Sequence, residues 1–239
     1  MADVTLDGQV AIVTGASAGI GEAIARRFAA AGARVVVAAR RADRLDALVA
    51  ELGGSDRALP VACDVADDAQ VDALVSCALE HFGQVDVLVN NAGLGSFARV
   101  VDTDPTAFRR MLDVNVTGTF LCSRAVLPHM LERGSGAIVN VCSDVSRRTF
   151  PGGAAYCASK HAQLAFGQAL GAEVREHGIR VGSVLPGMVG TEFNDARPED
   201  RLEWVLRSED IAEAVHFMVT QPGHAVVDEL TVHPVRQEY

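Results

Sequence analysis

The chain has 239 residues, of which 49% are hydrophobic, and its formal net charge is −10. This length and composition exclude a disordered chain and favour one large α/β domain. The acidic balance argues against a nucleic-acid or anionic-membrane partner, because either would call for a basic patch.

The first half of the chain alternates between short apolar runs and helical segments. Strands are predicted at Gln9 to Thr14, Arg34 to Ala39, Leu59 to Ala62 and Val85 to Val89. Helices are predicted between them, ending near Ala31, Leu52 and Phe82, and a glycine follows each end, as is common at helix C-termini. Apolar strands that alternate with helices predict a parallel sheet covered on both faces.

The second half continues the same alternation. Helices are predicted at Thr106 to Glu132, from Tyr156 to about His177 and at Ser208 to Val219. Strands are predicted at Ala137 to Cys142, Ile179 to Val184 and Val226 to Val232. The irregular stretch at 190–207 is predicted to form a small substrate lid. We therefore predict one α/β Rossmann domain over residues 1–239, a doubly wound parallel sheet of about seven strands with helices on both faces.

A glycine-rich turn follows the first predicted strand. From Thr14 to Gly21 the glycines are spaced G-x-x-x-G-x-G, at Gly15, Gly19 and Gly21. The first allows a sharp turn from strand to helix, and the later two let phosphate approach the backbone and let the helix pack closely on the sheet. Because the helix N-terminus would then face a pyrophosphate, the turn predicts a dinucleotide site.

The end of the second strand distinguishes between the two nicotinamide dinucleotides. An NAD site commonly has an acidic residue about 20 residues further on, which holds the ribose 2′-hydroxyl. Here the chain reads Ala38-Ala39-Arg40-Arg41, with no acid. Arginine suits the 2′-phosphate of NADP(H), so we predict NADP(H) bound by Arg40, with Arg41 as the second candidate. The alternative is an arginine that only lies at the solvated start of a helix.

The chain contains a single lysine, Lys160, beside 20 arginines. It follows Tyr156 by four residues, so that the two side chains would share one face of a helix. A cation held there would stabilise the phenolate and lower the pKa of Tyr156 from about 10. The tyrosine could then exchange a proton near neutral pH. Such a pair alone is more often two surface neighbours, so its interpretation depends on the rest of the chain.

The cysteines and the N-terminus bear on the compartment. The five cysteines are Cys63, Cys77, Cys122, Cys142 and Cys157. They are widely spaced and lack a C-x-x-C pair, so we expect buried thiols in a reducing compartment and no metal site. The first eight residues lack a signal-peptide pattern, and no apolar run approaches the ~18 residues of a membrane span. We therefore expect a cytoplasmic protein without a membrane partner.

Further motifs occur in a regular order along the chain. They are Thr14 to Gly21, Asp64, Asn90-Asn91-Ala92-Gly93, Asn115, Ser143 thirteen residues before Tyr156, Lys160, Pro186-Gly187 and Thr191. Together they resemble the classical short-chain dehydrogenase/reductase family over essentially the full length of the chain. The resemblance implies an NADP(H)-dependent alcohol dehydrogenase or carbonyl reductase acting on a small alcohol or ketone.

The resemblance also implies catalytic roles for four residues. Tyr156 would be the general acid or base on the substrate oxygen, and Ser143 would orient that oxygen. Lys160 would lower the pKa of the tyrosine and hold the nicotinamide ribose. Asn115 would hold a water that links Lys160 to solvent; the alternative is a mid-helix polar residue bonded only to backbone.

A larger set of binding residues is implied in the same way. The cofactor set is Gly15, Ser17, Gly19, Ile20, Gly21, Arg40, Arg41, Asp64, Val65, Asn91, Ala92, Gly93, Tyr156, Lys160, Pro186, Gly187, Val189 and Thr191. The expected substrate contacts are Ser96, Val145, Met188 and Phe193. Asp64 would contact the adenine, although it could also cap a helix. Arg147 and Arg148 are candidates for holding a substrate carboxylate.

The C-terminal segment suggests a branch of the family. The runs from Ser208 to Ile211 and from Pro234 to Tyr239 resemble enzymes that oxidise serine and other 3-hydroxy acids with NADP. Family members are commonly homodimers or homotetramers, which we also expect here. Two alternatives stay open. One is a catalytically silent NADP-binding sensor or scaffold, and the other is an epimerase or dehydratase of the longer related family, for which the segment after Pro186 is short.

Overall fold

The structure, a computed structural model, describes residues 5–193 and 203–238. Its centre is a sheet in which the seven strands of the described residues all run parallel. The strands are β1 (Val10–Thr14), β2 (Arg34–Ala39), β3 (Ala58–Ala62), β4 (Val87–Asn90), β5 (Gly136–Val141), β6 (Ile179–Pro186) and β7 (Glu229–Val232). Their spatial order is β3-β2-β1-β4-β5-β6-β7, which confirms the predicted doubly wound sheet.

Helices connect the strands and cover both faces of the sheet. They are α1 (Gly19–Ala30), α2 (Ala42–Glu51), α3 (Asp68–Phe82), α4 (Pro105–Leu112), α5 (Gly118–Arg133), α6 (Ala154–Val174) and α7 (Ser208–Val219). One apolar cluster packs α1, α2 and α7 on one face, and a second packs α3, α5 and α6 on the other. Every residue of β1 and β4 is buried, because both faces of these central strands are covered.

The local signals at helix ends explain why the predicted boundaries are close to the observed ones. At the start of α3, the Asp67 side chain accepts a hydrogen bond from the Gln70 backbone amide (3.1 Å). At its end, Gly83 adopts the left-handed conformation with φ of 80°, which glycine tolerates best. The predicted bounds of β2 and α7 match the structure residue for residue.

The long helix predicted from Thr106 to Glu132 is wrong in one respect. It is interrupted by a turn of π-helix at Asp113–Thr117, which lies between α4 and α5. A π-turn inserts one extra residue into the helix, and such turns are frequent at functional sites. The buried side chain of Asn115 lies in this turn and bonds to both backbone polar groups of Leu94, so tertiary contacts override the helical periodicity.

Several smaller boundaries also differ from the prediction, most of them by one or two residues. β4 begins at Val87 rather than Val85, and the edge strand β7 begins at Glu229 rather than Val226. α6 ends at Val174, and a short 3₁₀ turn carries the chain on to His177. Element ends share their hydrogen bonds with loops, so periodicity defines them poorly.

The described residues contain free thiols, no candidate metal cluster and no candidate membrane span. All five cysteines are free; four are buried as expected, but Cys77 is exposed on α3. Among residues 5–193 and 203–238, no group of three His, Cys, Asp or Glu side chains could hold a metal ion. No helix in these two ranges is long and apolar enough to cross a membrane.

The sheet order determines where a ligand can bind. Strands β2 and β3 lie on one side of β1, whereas β4 to β7 lie on the other. Connections therefore leave the carboxyl ends of β1 and β4 in opposite directions and open a crevice between them. In sheets of this kind ligands bind at that crevice.

Candidate active site

The carboxyl ends of β1 and β4 are held together by one hydroxyl and one amide side chain. Thr14 Oγ1 donates to the Val89 carbonyl oxygen (3.2 Å) and accepts from the backbone amides of Asn91 and Ala92 (3.0 Å each). Asn91 Nδ2 donates to the carbonyl oxygens of Thr14 (2.9 Å) and Gly15 (3.3 Å). Gly15 has φ of 66°, and a Cβ there would lie 2.8 Å from Ala92 Cα, so this turn accepts only glycine.

The glycine turn leads into the N-terminus of α1. Ala18 precedes the helix and supplies no side-chain cap, so the backbone amides of the first turn are left for another acceptor. Gly19, with φ of 58°, lines the cavity, and a Cβ there would lie 3.1 Å from the Thr191 methyl group. Gly21 instead lies beneath the turn, where a Cβ would collide with Asn91. The turn is therefore shaped for an anion near its backbone.

The end of β2 carries a group of charged side chains at one end of the cavity. Arg40 and Arg41 both line it. Arg41 Nε donates to Ser17 Oγ (3.1 Å), and Arg41 Nη1 lies 3.4 Å from Glu192 Oε2. Arg44 Nη1 donates to the same carboxylate oxygen (2.8 Å), and these hydrogen bonds lower the pKa of Glu192. The guanidinium groups beside Ser17 can bind a phosphate, and the sequence did not predict that Glu192 would be their partner.

Asp64, which was expected to contact the adenine, forms an ion pair with Arg110 on α4. Burial alone would raise the pKa of Asp64, but hydrogen bonds from the Ala66 backbone amide (3.1 Å) and from Arg110 outweigh that effect and lower it. The alternative role as the helix cap is wrong, because Asp67 caps α3. Arg110 belongs to no motif, and an isolated helical arginine carries no sequence signal for a site.

The hydroxyl, phenol and ammonium groups of the predicted catalytic set converge on the same cavity. Ser143 follows β5, whereas Tyr156 and Lys160 lie one helical turn apart on α6, and all three line the cavity wall. Ser143 Oγ donates to Asp144 Oδ1 (3.2 Å) and accepts a long hydrogen bond from the Val145 backbone amide (3.4 Å). The three groups meet where the crevice crosses the carboxyl end of β5.

Lys160 is nearly completely buried, and its ammonium group has two protein acceptors. Nζ donates to the Val141 carbonyl oxygen (3.0 Å) and to Gln163 Oε1 (2.8 Å). Burial lowers the pKa of Lys160 to about 8. Gln163 Nε2 donates in turn to Thr119 Oγ1 (2.9 Å), which donates to the Asn115 carbonyl oxygen (2.9 Å). A buried chain of hydrogen bonds therefore connects the lysine to the π-turn.

The pKa of Tyr156 moves in the direction opposite to the expected one. Burial of the phenol raises the pKa, the neighbouring Ser143 hydroxyl lowers it in part, and the charge of Asp144 raises it further. The prediction from sequence was wrong because it considered the lysine charge but not the cost of desolvating a phenolate. The aromatic rings of Phe97 and Phe193, at 5.5 Å and 5.6 Å from the tyrosine ring, contribute to that desolvation. In this structure Tyr156 is held as a neutral acid.

The buried ammonium gives a prediction for the pH dependence of stability. The pKa of Lys160 is about 8 in the folded chain, whereas an unfolded lysine has a pKa of about 10.4. Between these values the unfolded chain binds more protons, so the wild type gains stability with rising pH relative to Lys160→Met. We expect the difference in free energy of unfolding to grow in favour of the wild type by about 2 kcal/mol from pH 8 to pH 10.

Urea unfolding of both proteins at several pH values measures this difference. The comparison cancels the contributions of other titrating groups, including the buried thiols of Cys63 and Cys122, whose pKa burial raises. Below pH 8 the difference should stay constant. A difference that also stays constant from pH 8 to pH 10 would show that the lysine is not desolvated.

The side chain of Asn115 is buried and hydrogen-bonded within the protein. Its Oδ1 accepts from the Leu94 amide, and its Nδ2 donates to the Leu94 carbonyl oxygen and to Ser159 Oγ (2.9 Å each). Ser159 Oγ donates onward to the Tyr156 carbonyl oxygen (2.8 Å). A Cβ on Gly93 would lie 3.3 Å from Asn115 Oδ1 and 3.6 Å from Lys160 Nζ. The asparagine therefore supports the cavity floor beside the lysine through bonds to backbone and to a side chain, and its role in holding a water stays a prediction.

These groups surround one cavity of about 770 Å³. Of the cofactor residues named from sequence, Gly21 does not line it, and Asn115 lies behind its wall. The wall also contains residues that no motif marked. They are Ala18, Ala39, Cys63, Leu94, Gly95, Arg110, Val114, Val141, Cys142 and Glu192. Most of them are sequence neighbours of a site residue that was predicted. They line the cavity because the topology brings those segments together, and not because they belong to a motif.

Aromatic side chains surround the part of the cavity beside Tyr156. Phe193 lines the wall, and Phe97 contacts both Tyr156 and Phe150, with ring centroids 5.5 Å apart in each pair. The other expected substrate contacts, Ser96, Val145 and Met188, are not on this wall. Val145 is buried beneath Ser143, and Met188 is largely exposed. Part of the expected lid at 190–207 lies outside the described residues; at its base, Leu206 pairs with Val189.

Arg147 and Arg148 both have carboxylate partners within the chain. Arg147 pairs with Glu229, and Arg148 pairs with Asp144, the residue after Ser143. Hydrogen bonding from Arg147 lowers the pKa of Glu229. A carboxylate that bound to either arginine would have to compete with these pairs.

The chain is similar in sequence to a known protein family. The family model for short chain dehydrogenase matches residues 9–202. An uncharacterized oxidoreductase of Staphylococcus aureus (strain USA300) is 38% identical over 231 residues, which cover 96% of this chain and 99% of that protein.

Two solved structures have closely similar folds. One is the closed form of a serine dehydrogenase complexed with NADP⁺, with a TM-score of 0.91 and 33% identity, covering 97% of both chains. The other is a 3-ketoacyl-(acyl-carrier-protein) reductase from Brucella melitensis complexed with NADH, with a TM-score of 0.88 and 37% identity, covering 97% of this chain and 99% of that one. The shared sheet, the matching residues and the convergence of Ser143, Tyr156 and Lys160 lead to one conclusion: this chain belongs to the short-chain dehydrogenase family, as an oxidoreductase of the classical kind.

Proposed function

We propose that this protein is an NADP(H)-dependent oxidoreductase that transfers hydride between the nicotinamide and a small alcohol or ketone. The observation that carries the proposal is the convergence of Ser143, Tyr156 and Lys160 on a cavity that the glycine turn also lines. The relatives support the reaction class, since the three described above are an oxidoreductase, a dehydrogenase and a reductase. A carbonyl reductase or alcohol dehydrogenase is the activity that this arrangement supports best.

The residues present fit the pyrophosphate and the 2′-phosphate of NADP(H). The uncapped first turn of α1 supplies backbone amides for a pyrophosphate, and Gly19, which lines the cavity without a side chain, leaves those amides accessible. Arg40 and Arg41, with Ser17 beside them, supply positive charge and donors for a 2′-phosphate. The end of β2 carries no carboxylate to hold a ribose 2′-hydroxyl, which supports NADP(H) over NAD(H).

The nicotinamide, when bound, supplies the hydride, and the protein supplies position and a proton. During reduction, Tyr156 Oη donates its proton to the carbonyl oxygen, and the raised pKa keeps that proton available at neutral pH. Ser143 Oγ orients the same oxygen. The Lys160 ammonium lines the same cavity as the phenol and is fixed by Val141 and Gln163. Oxidation reverses these steps and requires the phenol to lose its proton first.

The walls of the cavity indicate the class of substrate. Phe193 on the cavity wall and Phe97 both contact the Tyr156 ring, and Phe150 packs on Phe97. The nearby arginines are neutralised by Glu229 and Asp144. We therefore propose a ketone or secondary alcohol with an apolar substituent as the preferred substrate, ahead of a 3-hydroxy acid.

Oxidation of NADPH, followed at 340 nm against matched pairs of substrates, tests the proposal. The panel pairs each aryl or alkyl ketone with the 3-oxo acid of similar size. We expect turnover of the neutral ketone with a kcat/KM about tenfold higher than that of its acid partner, because the acid must break an existing ion pair. Absence of turnover with every member, together with tight NADPH binding, would identify a silent NADP-binding protein instead.

We also propose that the chain forms a homodimer or homotetramer. Phe120 and Leu131 on α5 and Phe217 on α7 are large apolar side chains with exposed fractions of 43%, 41% and 52%. Exposed apolar groups on helix faces are a common feature of contacts between subunits. Light scattering coupled to size-exclusion chromatography measures the mass and decides between the two assemblies.

A further inference from the structure

The C-terminal tail, residues 233–238, lies against the loop that carries Ser143. Its Gln237 contacts Asp144 of that loop, 93 residues away in sequence. Asp144 directly follows Ser143. Its side chain is buried, accepts a hydrogen bond and forms ion pairs. Its Oδ2 accepts from Gln237 Nε2 (2.7 Å), lies 3.4 Å from His233 Nε2 and pairs with Arg148. Two of these groups, His233 and Gln237, belong to the tail.

Gln237 uses both ends of its amide. While Nε2 donates to Asp144, Oε1 accepts from the backbone amide of Met188 (2.8 Å). One side chain thus connects the segment after β5, which carries Ser143, to the segment after β6. An amide can donate and accept at once, whereas a carboxylate can only accept and a thioether hardly does either. Gln237 therefore bridges the two segments in a way that Glu or Met cannot reproduce.

The rest of the tail holds this amide in place. The Gly187 amide donates to the Val232 carbonyl oxygen (2.8 Å), which extends the pairing of β6 with β7. A Cβ on Gly187 would lie 2.7 Å from His233 Cδ2 and 3.1 Å from Pro234 Cδ, so the tail packs directly on that glycine. The backbone amide of Gln237 donates to the Pro234 carbonyl oxygen (3.1 Å) and closes a turn. The bridge is therefore anchored on both sides.

We propose that Gln237 is a positioning residue of the active site, which fixes the separation between Ser143 and the 186–188 segment and thereby selects substrates by size. The inference rests on the proposed function, because Ser143 and Gly187 both line the cavity in which the substrate would react. Without the bridge the two segments are free to separate. A small ketone would then lose contact with Ser143, whereas a bulky one would still fill the gap.

Two variants and a neighbouring control test this role. Gln237→Glu places a carboxylate against Asp144, and Gln237→Met removes both hydrogen bonds at similar volume. The control, Glu238→Gln, changes an exposed neighbour by one charge. We expect both Gln237 variants to lower the ratio of kcat/KM for a small ketone to that for a bulky ketone by about tenfold, as the loss of a charge-assisted hydrogen bond predicts. The control should change this ratio less than twofold.

The double variant Asp144→Asn with Gln237→Glu restores a matched donor and acceptor. The new asparagine amide can donate to the new carboxylate, which also still accepts from Met188. We expect the double variant to recover at least about threefold of the ratio lost by Gln237→Glu, as coupling between contacting residues predicts. Equal loss for small and bulky ketones, or no recovery, would overturn the positioning role and leave only a structural one.

Hydrogen exchange separates failure of this inference from failure of the proposed function. The Met188 amide should exchange at least about tenfold faster in Gln237→Met than in the wild type, because its acceptor is lost. The Val184 amide within β6 should not change. Unchanged exchange at Met188 would overturn the bridge whatever the activity. Lack of wild-type turnover with every ketone would instead overturn the proposed function.

Discussion

Replacing Tyr156 with phenylalanine is expected to lower kcat for ketone reduction by about 10²–10⁴-fold, the usual contribution of a positioned general acid. The change removes only the phenol oxygen. The ring contacts with Phe97 and Phe193 remain, so the fold and the shape of the cavity should be preserved. Steady-state NADPH oxidation measures kcat, and quenching of NADPH fluorescence measures Kd, which should stay within about threefold, because binding and proton transfer are separate steps.

A second substitution separates the acid from the hydroxyl that orients the substrate. Ser143→Ala leaves the phenol in place and should raise KM as well as lower kcat, since Ser143 holds the oxygen in both ground and transition states. Turnover by Tyr156→Phe at wild-type rate would assign the proton to another group. Asp144, which lies beside both residues, would then be the first to test.

Arg40→Ala is expected to weaken NADPH binding about 10–100-fold while changing NADH binding little, because a charge-assisted hydrogen bond contributes about 1.5–3 kcal/mol. Arg40 lines the cavity, and its charge acts on Asp64 nearby. Arg41→Ala tests the second candidate, which is already bonded to Ser17. Binding of each dinucleotide to each variant, measured by fluorescence or calorimetry, gives the discrimination.

Arg44→Ala is the matched control for these two variants. Arg44 lies in the same charged group and pairs with Glu192, but it does not line the cavity. Its loss should leave the preference for NADPH over NADH unchanged. If Arg40→Ala and Arg41→Ala each weaken both dinucleotides equally, neither side chain recognises the 2′-phosphate, and the preference for NADP(H) would lose its basis.

The sequence was sufficient for the sheet and for the glycine turn, because both depend on local patterns. Apolar runs with regular spacing predicted the central strands, and glycine at Gly83 ended α3 where it was expected. Gly15 was predictable because only glycine tolerates both the positive φ and the approach of Ala92. The family resemblance then supplied the register of Ser143 with Tyr156.

Contacts between distant segments were not predictable from local patterns. Gln163 and Gln237 look like ordinary polar residues in the sequence, yet one holds Lys160 and the other joins Asp144 to Met188. The direction of the Tyr156 pKa shift failed for a related reason. Sequence spacing reveals a charge four residues away, but burial depends on the whole tertiary environment.

Transfer of deuterium from NADPH that carries deuterium at both C4 positions of the nicotinamide tests the central claim most directly. After a single turnover with a ketone that the wild type reduces, mass spectrometry and NMR locate the label. We expect one deuterium on the carbon that bears the new hydroxyl group, and about 10²–10⁴-fold slower labelling with Tyr156→Phe. Consumption of NADPH without deuterium at that carbon would contradict hydride transfer and, with it, the proposed function.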